Sequence, residues 1–227
     1  MIKNIKTVIF DLDGVLWELD FTDFGRMIAR DSGMPECYHE EFADKIIDAV
    51  KSMLTHTSER INKEVILKAI TEGIPDLDKY GLTALQLYSY FINPNYVYSV
   101  NNPMALTVVK ELHERGYKLV VKSNWFAHVQ MANLKLYGYL PYFEQIVGIM
   151  DDYMKPNPRS VEKLLKGKDP TRCVIIGDSP HKEMKLANSL GMKSIWLNET
   201  GKPLPEDDSQ KPTYEVHDIM EVLKILK

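Results

Sequence analysis

Short apolar runs that end in polar residues constrain the fold of this chain more than any other feature of its sequence. The first run, residues 7–10, begins with β-branched side chains and stops at Asp11. Similar runs occupy residues 117–122, 145–149, 173–176 and 193–197, of which 145–149 is the weakest. Continuous apolar runs of this length are typical of strands that are covered on both faces in a parallel sheet.

Helical patterns separate most of these runs, at residues 103–115, 157–166 and 180–190. The alternation predicts an α/β fold, a Rossmann-like parallel sheet flanked by helices. Residues 17–100 break the alternation, because they show successive helical patterns and no convincing strand. We therefore predict a catalytic α/β core from residues 1–16 and 101–227, with a mainly α-helical cap domain inserted at 17–100.

Composition and charge limit the classes of partner. The chain has 227 residues, with 28 Lys and Arg against 32 Asp and Glu, for a formal net charge of −4. The 44% of hydrophobic residues are enough for a packed core. The acidic balance argues against binding of nucleic acid or of an anionic membrane by a basic surface. Without an apolar segment of about 18 residues or a signal-peptide pattern, we expect a cytoplasmic protein with no membrane partner. The oligomeric state stays open.

Polar residues follow the predicted strands where the carboxyl ends of a parallel sheet meet, which is the usual ligand site of such folds. Asp11-Leu12-Asp13-Gly14 follows the first run, Ser123-Asn124 the second, Asp151, Asp152 and Lys155 the weak run, and Gly177-Asp178 the fourth. Clustered carboxylates require a cation, and oxygen ligands favour Mg²⁺. A lysine and a serine beside that metal suit the oxygens of a phosphoryl group.

Two carboxylates in the first motif suit two different chemical tasks. One carboxylate can attack phosphorus and form an aspartyl-phosphate. The other, two residues on, can reach the leaving oxygen if the chain turns at Gly14. Taken singly, each motif also has a structural explanation, as an Asx turn, a helix N-cap or a surface lysine. Their joint occurrence at strand ends favours one functional set.

These motifs resemble those of the haloacid dehalogenase-like (HAD) hydrolase superfamily, and they stand in the same order. The matching segments are Asp11-Leu12-Asp13-Gly14-Val15, Ser123, Lys155 with Pro156 and Pro158, and Gly177-Asp178. The resemblance covers residues 7–16 and 101–199. The helical insertion resembles the cap that the family places between its first and second motifs.

The resemblance implies a role for each motif residue. Asp11 would be the nucleophile and a metal ligand, and Asp13 the general acid/base, with its backbone carbonyl also on the metal. The phosphate-binding residues would be Ser123, Asn124 and Lys155. The further metal-binding residues would be Asp178 and Glu183. The family commonly has Asp where Glu183 stands, so direct coordination and support through water are both open.

The resulting hypothesis is a Mg²⁺-dependent phosphatase that hydrolyses a small phosphorylated metabolite through an aspartyl-phosphate. A dehalogenase is an alternative of the same superfamily, although it has no leaving oxygen to protonate and so does not need Asp13. A phosphomutase needs the same residues as a phosphatase. A non-catalytic binding scaffold is the alternative from another class. Trp17 and Trp125 lie close to the motifs, where each could serve either the site or simple packing.

Overall fold

The structure is a computed structural model, and it describes residues 2–56, 58–96, 99–150 and 152–227. Asp151, one of the carboxylates singled out in the sequence, lies outside the described residues. The strands are β1 (Thr7–Phe10), β2 (Trp17–Leu19), β3 (Arg60–Ile61), β4 (Ser99–Asn101), β5 (Lys118–Phe126), β6 (Gln145–Ile149), β7 (Asp152–Tyr153), β8 (Cys173–Gly177), β9 (Lys193–Leu197) and β10 (Tyr214–Val216).

Helices surround these strands. They are α1 (Phe21–Asp31), α2 (His39–Thr55), α3 (Lys63–Gly73), α4 (Ala84–Phe91), α5 (Pro103–Glu114), α6 (Ala127–Leu136), α7 (Glu162–Leu165), α8 (Lys185–Leu190) and α9 (Val222–Ile225). A π-helical turn, Pro180–Met184, leads directly into α8. Among the described residues, no helix is both long and apolar enough to cross a bilayer.

Six strands form a wholly parallel sheet in the order β10-β9-β8-β1-β5-β6. In this doubly wound order, β5 and β6 lie on one side of β1, and β8, β9 and β10 lie on the other. Ligands of such folds bind at the carboxyl ends of the strands beside the point where the strand order reverses. All four residues of β1 are buried. Val8 and Phe10 pack into the core on one face of the sheet, and Ile9 packs into the core on the other. The predicted α/β fold, a Rossmann-like parallel sheet flanked by helices, is confirmed.

Several predicted elements differ from the structure. The second strand does not end before Ser123, because β5 continues to Phe126 through an irregular register against β6. The helix expected over 157–166 is a 3₁₀ turn, Pro158–Val161, followed by the short α7. The expectation of no strand within 17–100 is wrong at β2, β3 and β4. These strands have two or three residues each, too few to show an alternating pattern.

The segment from β2 to β4, hereafter the insertion, packs its described residues against the carboxyl edge of the sheet. Strands β2 and β4 pair antiparallel where the chain leaves and rejoins the core, with Trp17 opposite Asn101. Strand β3 pairs with β7, which places Ile61 opposite Asp152 and adds a second connection. A single hydrophobic cluster joins the two parts, with Phe42 from α2 and Trp125 from β5 among its members. The insertion is therefore fixed over the edge where the polar motifs end.

Candidate active site

The first motif forms a tight turn at the end of β1. The backbone N–H of Asp11 still bonds to the Ile176 carbonyl of β8 at 2.9 Å, so its position is set by the sheet. Gly14 has φ of +76°, a left-handed conformation that disfavours a side chain. A Cβ at Gly14 would also lie 2.6 Å from Oδ2 of Asp178. Glycine here lets the turn approach the end of β8 and brings the first and fourth motifs together.

Lys155 is the charged centre of the site. Its Nζ lies 2.6 Å from Oδ1 of Asp11 and 2.7 Å from Oε1 of Glu183, and its side chain is 1% exposed. Burial alone would lower the pKa of Lys155, but the carboxylates of Asp11 and Glu183 outweigh that effect and raise it. Lys155 is therefore held as an ammonium group in contact with the side chains of Asp11 and Glu183.

Asn124 holds the backbone of Lys155 in place. Its amide Nδ2 donates to the Lys155 carbonyl at 3.0 Å, and the Lys155 backbone N–H donates to Oδ1 of Asn124 at 2.8 Å. This reciprocal pair links β5 to the segment after β7. The Asn124 amide is thereby engaged with protein, so its side chain acts on the site by positioning Lys155.

Asp13 is bound by two donors that the sequence did not reveal. The indole Nε1 of Trp17 donates to its Oδ1 at 2.8 Å, and Nε2 of Gln130 donates to its Oδ2 at 2.9 Å. Burial and the nearby charge of Asp11 raise the pKa of Asp13 to about 6, although these two hydrogen bonds oppose the rise. Asp13 and Asp11 thus have different environments, because Asp11 contacts an ammonium group and Asp13 contacts two neutral donors, and such a difference suits two different chemical roles.

Ser123 is fully buried in β5, beside the same glutamine. Its Oγ accepts hydrogen bonds from the Trp125 backbone N–H at 3.0 Å and from Nε2 of Gln130 at 2.9 Å. A hydroxyl that accepts twice keeps its own proton available to donate. Ser123 is therefore oriented as a hydrogen-bond donor, which is the role a phosphoryl oxygen requires.

Three acidic side chains meet beyond the carboxyl ends of the neighbouring strands β1 and β8. Asp11, Asp178 and Glu183 each offer a carboxylate oxygen, and these oxygens lie within 4.8 Å of one another. Burial raises the pKa of Asp178 to about 6 and that of Glu183 to about 8, and the neighbouring carboxylates add to both shifts. A hard divalent cation with oxygen ligands would relieve this crowding, so the donor set fits Mg²⁺.

Glu183 is engaged by protein on both oxygens. Its Oε1 pairs with Lys155, and its Oε2 accepts the Ser179 backbone N–H at 3.1 Å. Gly177 allows this approach, since a Cβ there would lie 2.3 Å from Cγ of Glu183. The structure thus brings Glu183 to the site, where it contacts Lys155 and the turn that carries Asp178.

Two other polar residues at the strand ends lie outside the site. Lys122, just before Ser123, is fully buried and its Nζ donates to the carbonyls of Gly148 at 3.3 Å and Tyr153 at 3.0 Å. Burial lowers the pKa of Lys122 to about 7. Asp152 pairs with Lys163 at 2.8 Å. Successive side chains of a strand point to opposite faces, which separates Lys122 from Ser123.

A cavity of about 200 Å³ lies between the core and the insertion. Its polar base, hereafter the floor, is formed by Asp11, Asp13, Asn124, Lys155 and Asp178. Its apolar cover, hereafter the roof, is formed by Leu19, Phe21, Val50, Leu54 and Trp125. Trp125 packs against Phe21 and Phe91 in tilted orientations, with ring centroids 5.6 and 5.7 Å away, so it serves both the cavity and the packing of the insertion.

A Rossmann-like sheet with ordered carboxylates, a lysine and a serine at its carboxyl edge defines a class of hydrolases. The sequence model of the haloacid dehalogenase-like hydrolase family matches residues 5–191, so the chain belongs to that family. Pyrophosphatase PpaX of Bacillus pumilus is 30% identical, over 79% of this chain and 77% of its own length. Glyceraldehyde 3-phosphate phosphatase of Methanothermobacter thermautotrophicus is 25% identical, over 98% of this chain and 100% of its own length. The structure of Bacillus subtilis YfnB bound to magnesium has a TM-score of 0.74 at 21% identity, with 99% of both chains covered.

Proposed function

We propose that this protein is a Mg²⁺-dependent phosphatase that hydrolyses a small phosphorylated metabolite through an aspartyl-phosphate on Asp11. The observation that carries the proposal is the contrast between the two aspartates of one turn. Asp11 pairs with Lys155 at 2.6 Å, whereas Asp13 accepts hydrogen bonds from Trp17 and Gln130. Relatives named as a pyrophosphatase and a glyceraldehyde 3-phosphate phosphatase support hydrolysis of phosphate compounds.

In the first step, a carboxylate oxygen of Asp11 attacks phosphorus and the bond to the leaving oxygen breaks. Asp13 gives its proton to that oxygen, and Ser123 and Lys155 bind the other phosphoryl oxygens. In the second step, Asp13 takes a proton from water, whose oxygen attacks the phosphoryl group and releases inorganic phosphate and the Asp11 carboxylate. General acid and base catalysis of this kind contributes about 10²–10⁴-fold for each step.

Magnesium would be held by the carboxylates of Asp11 and Asp178 and by the backbone carbonyl of Asp13. When bound, the ion would neutralise charge on the phosphoryl oxygens as they approach the carboxylates. Glu183 would support the site through Lys155 and through water, because both of its oxygens already have protein partners. YfnB, which shares the fold, is bound to magnesium in its structure, in keeping with this assignment.

The insertion would act as the cap of the active site and exclude water during the first step. We propose residues 17–100 as this cap and residues 1–16 with 101–227 as the core. The β2–β4 pair lies at that boundary. We also propose a cytoplasmic location, because the two cysteines are unpaired and reduced thiols are typical of that compartment.

A direct test is hydrolysis of p-nitrophenyl phosphate with Mg²⁺ and with EDTA. We expect activity with Mg²⁺, none in EDTA, and inhibition by Ca²⁺, whose larger coordination shell would misplace Asp11. Asp178→Ala should abolish activity at ordinary Mg²⁺ concentrations, whereas Asp208→Ala, at an exposed aspartate that is not part of the cavity lining, should not. Full activity in EDTA would contradict the metal assignment.

The hydrogen bonds to Asp13 also bear on the alternatives. A dehalogenase has no leaving oxygen to protonate, so two dedicated donors on Asp13 favour phosphoryl transfer. A phosphomutase would use the same floor and would transfer the phosphoryl group to a second substrate site in place of water. Measured release of inorganic phosphate, without formation of an isomeric phosphoester, separates the two. Absence of any turnover would leave the scaffold alternative.

A further inference from the structure

The chain passes between the core and the insertion at one crossing, formed by Leu16 and Trp17 on the outgoing chain and by Asn101 and Asn102 on the returning chain. Trp17 lies opposite Asn101 in the β2–β4 pair, and the backbone N–H of Asn102 donates to the Leu16 carbonyl at 2.9 Å. Trp17 also donates its indole N–H to Asp13. The crossing therefore connects the insertion to the acid of the proposed mechanism.

Tyr139 is fully buried at this crossing, between α6 and the 3₁₀ turn that follows it. Its hydroxyl lies 2.9 Å from Oδ1 of Asn101, 2.9 Å from the Asn102 carbonyl and 3.4 Å from the Leu16 carbonyl. Burial raises the pKa of Tyr139, so the phenol keeps the proton that it donates to these oxygens. One hydroxyl thus contacts both the outgoing and the returning chain.

Tyr137 contacts the other end of β4. Its hydroxyl donates to the Ser99 carbonyl, and Ser99 lies opposite Leu19 of β2. The two tyrosines therefore hold β4 at its first and last residues. Strand β4 has three residues and forms a two-stranded sheet with β2, and an isolated pair of short strands is marginally stable by itself. The position of this pair thus depends on side chains of the core.

The indole of Trp17 packs against both tyrosine rings. Its centroid lies 5.9 Å from the ring of Tyr137 and 6.2 Å from the ring of Tyr139, and Trp17 is 1% exposed. A hydrogen bond weakens steeply when its donor turns away from the acceptor, so the 2.8 Å bond to Asp13 requires a fixed indole. The tyrosine rings contact this indole, and the tyrosine hydroxyls hold the strand pair that carries it.

The second donor to Asp13 comes from the same part of the core. Gln130 belongs to α6, which ends directly before Tyr137. Residues 127–139 therefore contact Asp13 directly through Gln130 and indirectly through Trp17. A shift of the insertion at the crossing would move the Trp17 donor and leave Gln130 in place.

We propose that Tyr139 is a positioning residue for Asp13. By holding the crossing, its hydroxyl directs the indole N–H of Trp17 towards the Asp13 carboxyl group and couples the position of the insertion to the acid. The inference rests on the proposed phosphatase function, in which Asp13 is that acid. A role limited to packing requires the ring of Tyr139 and not its hydroxyl, so the two roles are separable by experiment.

Tyr139→Phe keeps the ring and removes the hydroxyl. We expect kcat for an alkyl phosphate to fall by about fivefold, the effect of one hydrogen bond, and kcat for p-nitrophenyl phosphate by less than about twofold, because its leaving group needs little protonation. Tyr142→Phe is the matched control and should change neither value, since Tyr142 lies in the next turn and packs against His113 of α5. Equal losses for both esters in Tyr139→Phe overturn the inference.

A double substitution tests whether Tyr139 acts through Trp17. Trp17→Phe removes the indole donor and keeps an aromatic ring. If Tyr139 acts by this route, Trp17→Phe combined with Tyr139→Phe should lose no more kcat for the alkyl phosphate than Trp17→Phe alone, within about twofold. Losses that multiply would show that Tyr139 acts by another route, and the inference would fail.

The indole N–H of Trp17 can also be observed without turnover. In protein with ¹⁵N-labelled tryptophan, the Trp17 signal is the one that Trp17→Phe removes. In Tyr139→Phe it should change its chemical shift and exchange with solvent about fivefold faster. Tyr137→Phe, at a half-buried position, should give a smaller change in the same direction and replaces Tyr139→Phe if that variant does not fold.

An unchanged Trp17 signal in the folded tyrosine variants overturns the inference. A native protein that hydrolyses no phosphate ester would contradict the proposed function, and the Trp17 signal would still decide whether Tyr139 positions the donor.

Discussion

The floor and the roof of the cavity are built on different physical principles. The floor comes from strand ends of the core, and its members are fixed by charge pairs and hydrogen bonds, such as Lys155 with Asp11 at 2.6 Å. The roof comes mostly from the insertion, and its members are fixed by apolar packing around Trp125. The energy of a charge pair or hydrogen bond is lost when one partner atom is removed, whereas apolar packing tolerates changes in side-chain shape. Substitutions in the floor should therefore have large and specific effects, and those in the roof small and graded ones.

The largest effect is expected for Asp11→Asn. The amide is a poor nucleophile and cannot pair with Lys155 as a carboxylate does, so turnover should fall to background and no phosphoryl adduct should form. Stopped assays and mass spectrometry of the Asp11 peptide measure both quantities. Asp23→Asn, a half-buried position on α1 outside the cavity lining, is the matched control and should keep full activity. An adduct on any residue in Asp11→Asn would place the nucleophile elsewhere.

Asp13→Asn should have an effect that depends on the leaving group. With an alkyl phosphate the loss should reach about 10²–10⁴-fold, because the alkoxide needs the proton that Asp13 supplies. With p-nitrophenyl phosphate the first step should survive in part, since its phenolate leaves without much protonation. Rapid mixing should then show a burst of nitrophenolate, and the Asp11 peptide should carry a phosphoryl group. Equal losses for both esters, without a burst, would remove Asp13 from the acid role.

A matched pair of glycines compares the two regions directly. Gly14 in the floor turn and Gly81 in the insertion have similar left-handed φ angles, +76° and +70°. An alanine at either position should cost about 1 kcal/mol of unfolding free energy. At Gly81 the new methyl group meets open space, whereas at Gly14 it would lie 2.6 Å from Oδ2 of Asp178.

Only Gly14→Ala should therefore weaken Mg²⁺ binding and activity, by at least about tenfold for a displaced ligand. Thermal unfolding compares the stabilities, and Mg²⁺ titration of activity compares the metal sites. Similar Mg²⁺ dependence in the two variants would show that the turn at Gly14 does not set the position of Asp178.

The sequence revealed most of the floor because its residues directly follow apolar strands. Asp11 and Asp178 are placed by β1 and β8 alone, and the predicted bounds of β6 and β9 agree with the structure. Gln130 could not be found in this way. It lies on α6, seven residues beyond Ser123, and only the packing of that helix turns its amide towards Asp13. A glutamine in a helix carries no motif, so its role depends on tertiary structure.

The residues of the roof could not be identified from the sequence either, for a related reason. Val50 belongs to the buried apolar face of α2, and most of that face packs inside the insertion. Periodicity shows which face of a helix is buried, and it does not show which buried residue borders a cavity. The sequence left Trp17 open between a role in the site and simple packing, and in the structure its indole N–H donates to Asp13 at 2.8 Å. These positions need the folded chain for their assignment.

Gln130→Met tests the hidden part of the floor. The substitution keeps the volume and removes the donor shared by Asp13 and Ser123, so kcat should fall by about tenfold, with little change in KM. The loss should be greater for an alkyl phosphate than for p-nitrophenyl phosphate, because a misplaced acid matters most for a poor leaving group. Asn133→Leu is the control on α6, since its buried amide bonds to neither Asp13 nor Ser123. Equal losses for both esters would indicate a general packing defect.

The smallest effect is expected for Leu54→Ala in the roof. Leu54 is half-buried, so the substitution removes only part of the apolar contact with a leaving group, about 1 kcal/mol or roughly fivefold in kcat/KM for phenyl phosphate. Methyl phosphate is too short to reach the roof, so its kcat/KM should stay within about twofold, and Leu85→Ala, at an exposed position of α4 outside the cavity lining, should change neither ester. The floor is untouched in this variant, so the change should fall on KM, with kcat preserved. A loss of equal size for methyl and phenyl phosphate would mean that Leu54 acts on the floor through the position of the insertion, and the division between a charged floor and an apolar roof would then fail at this residue.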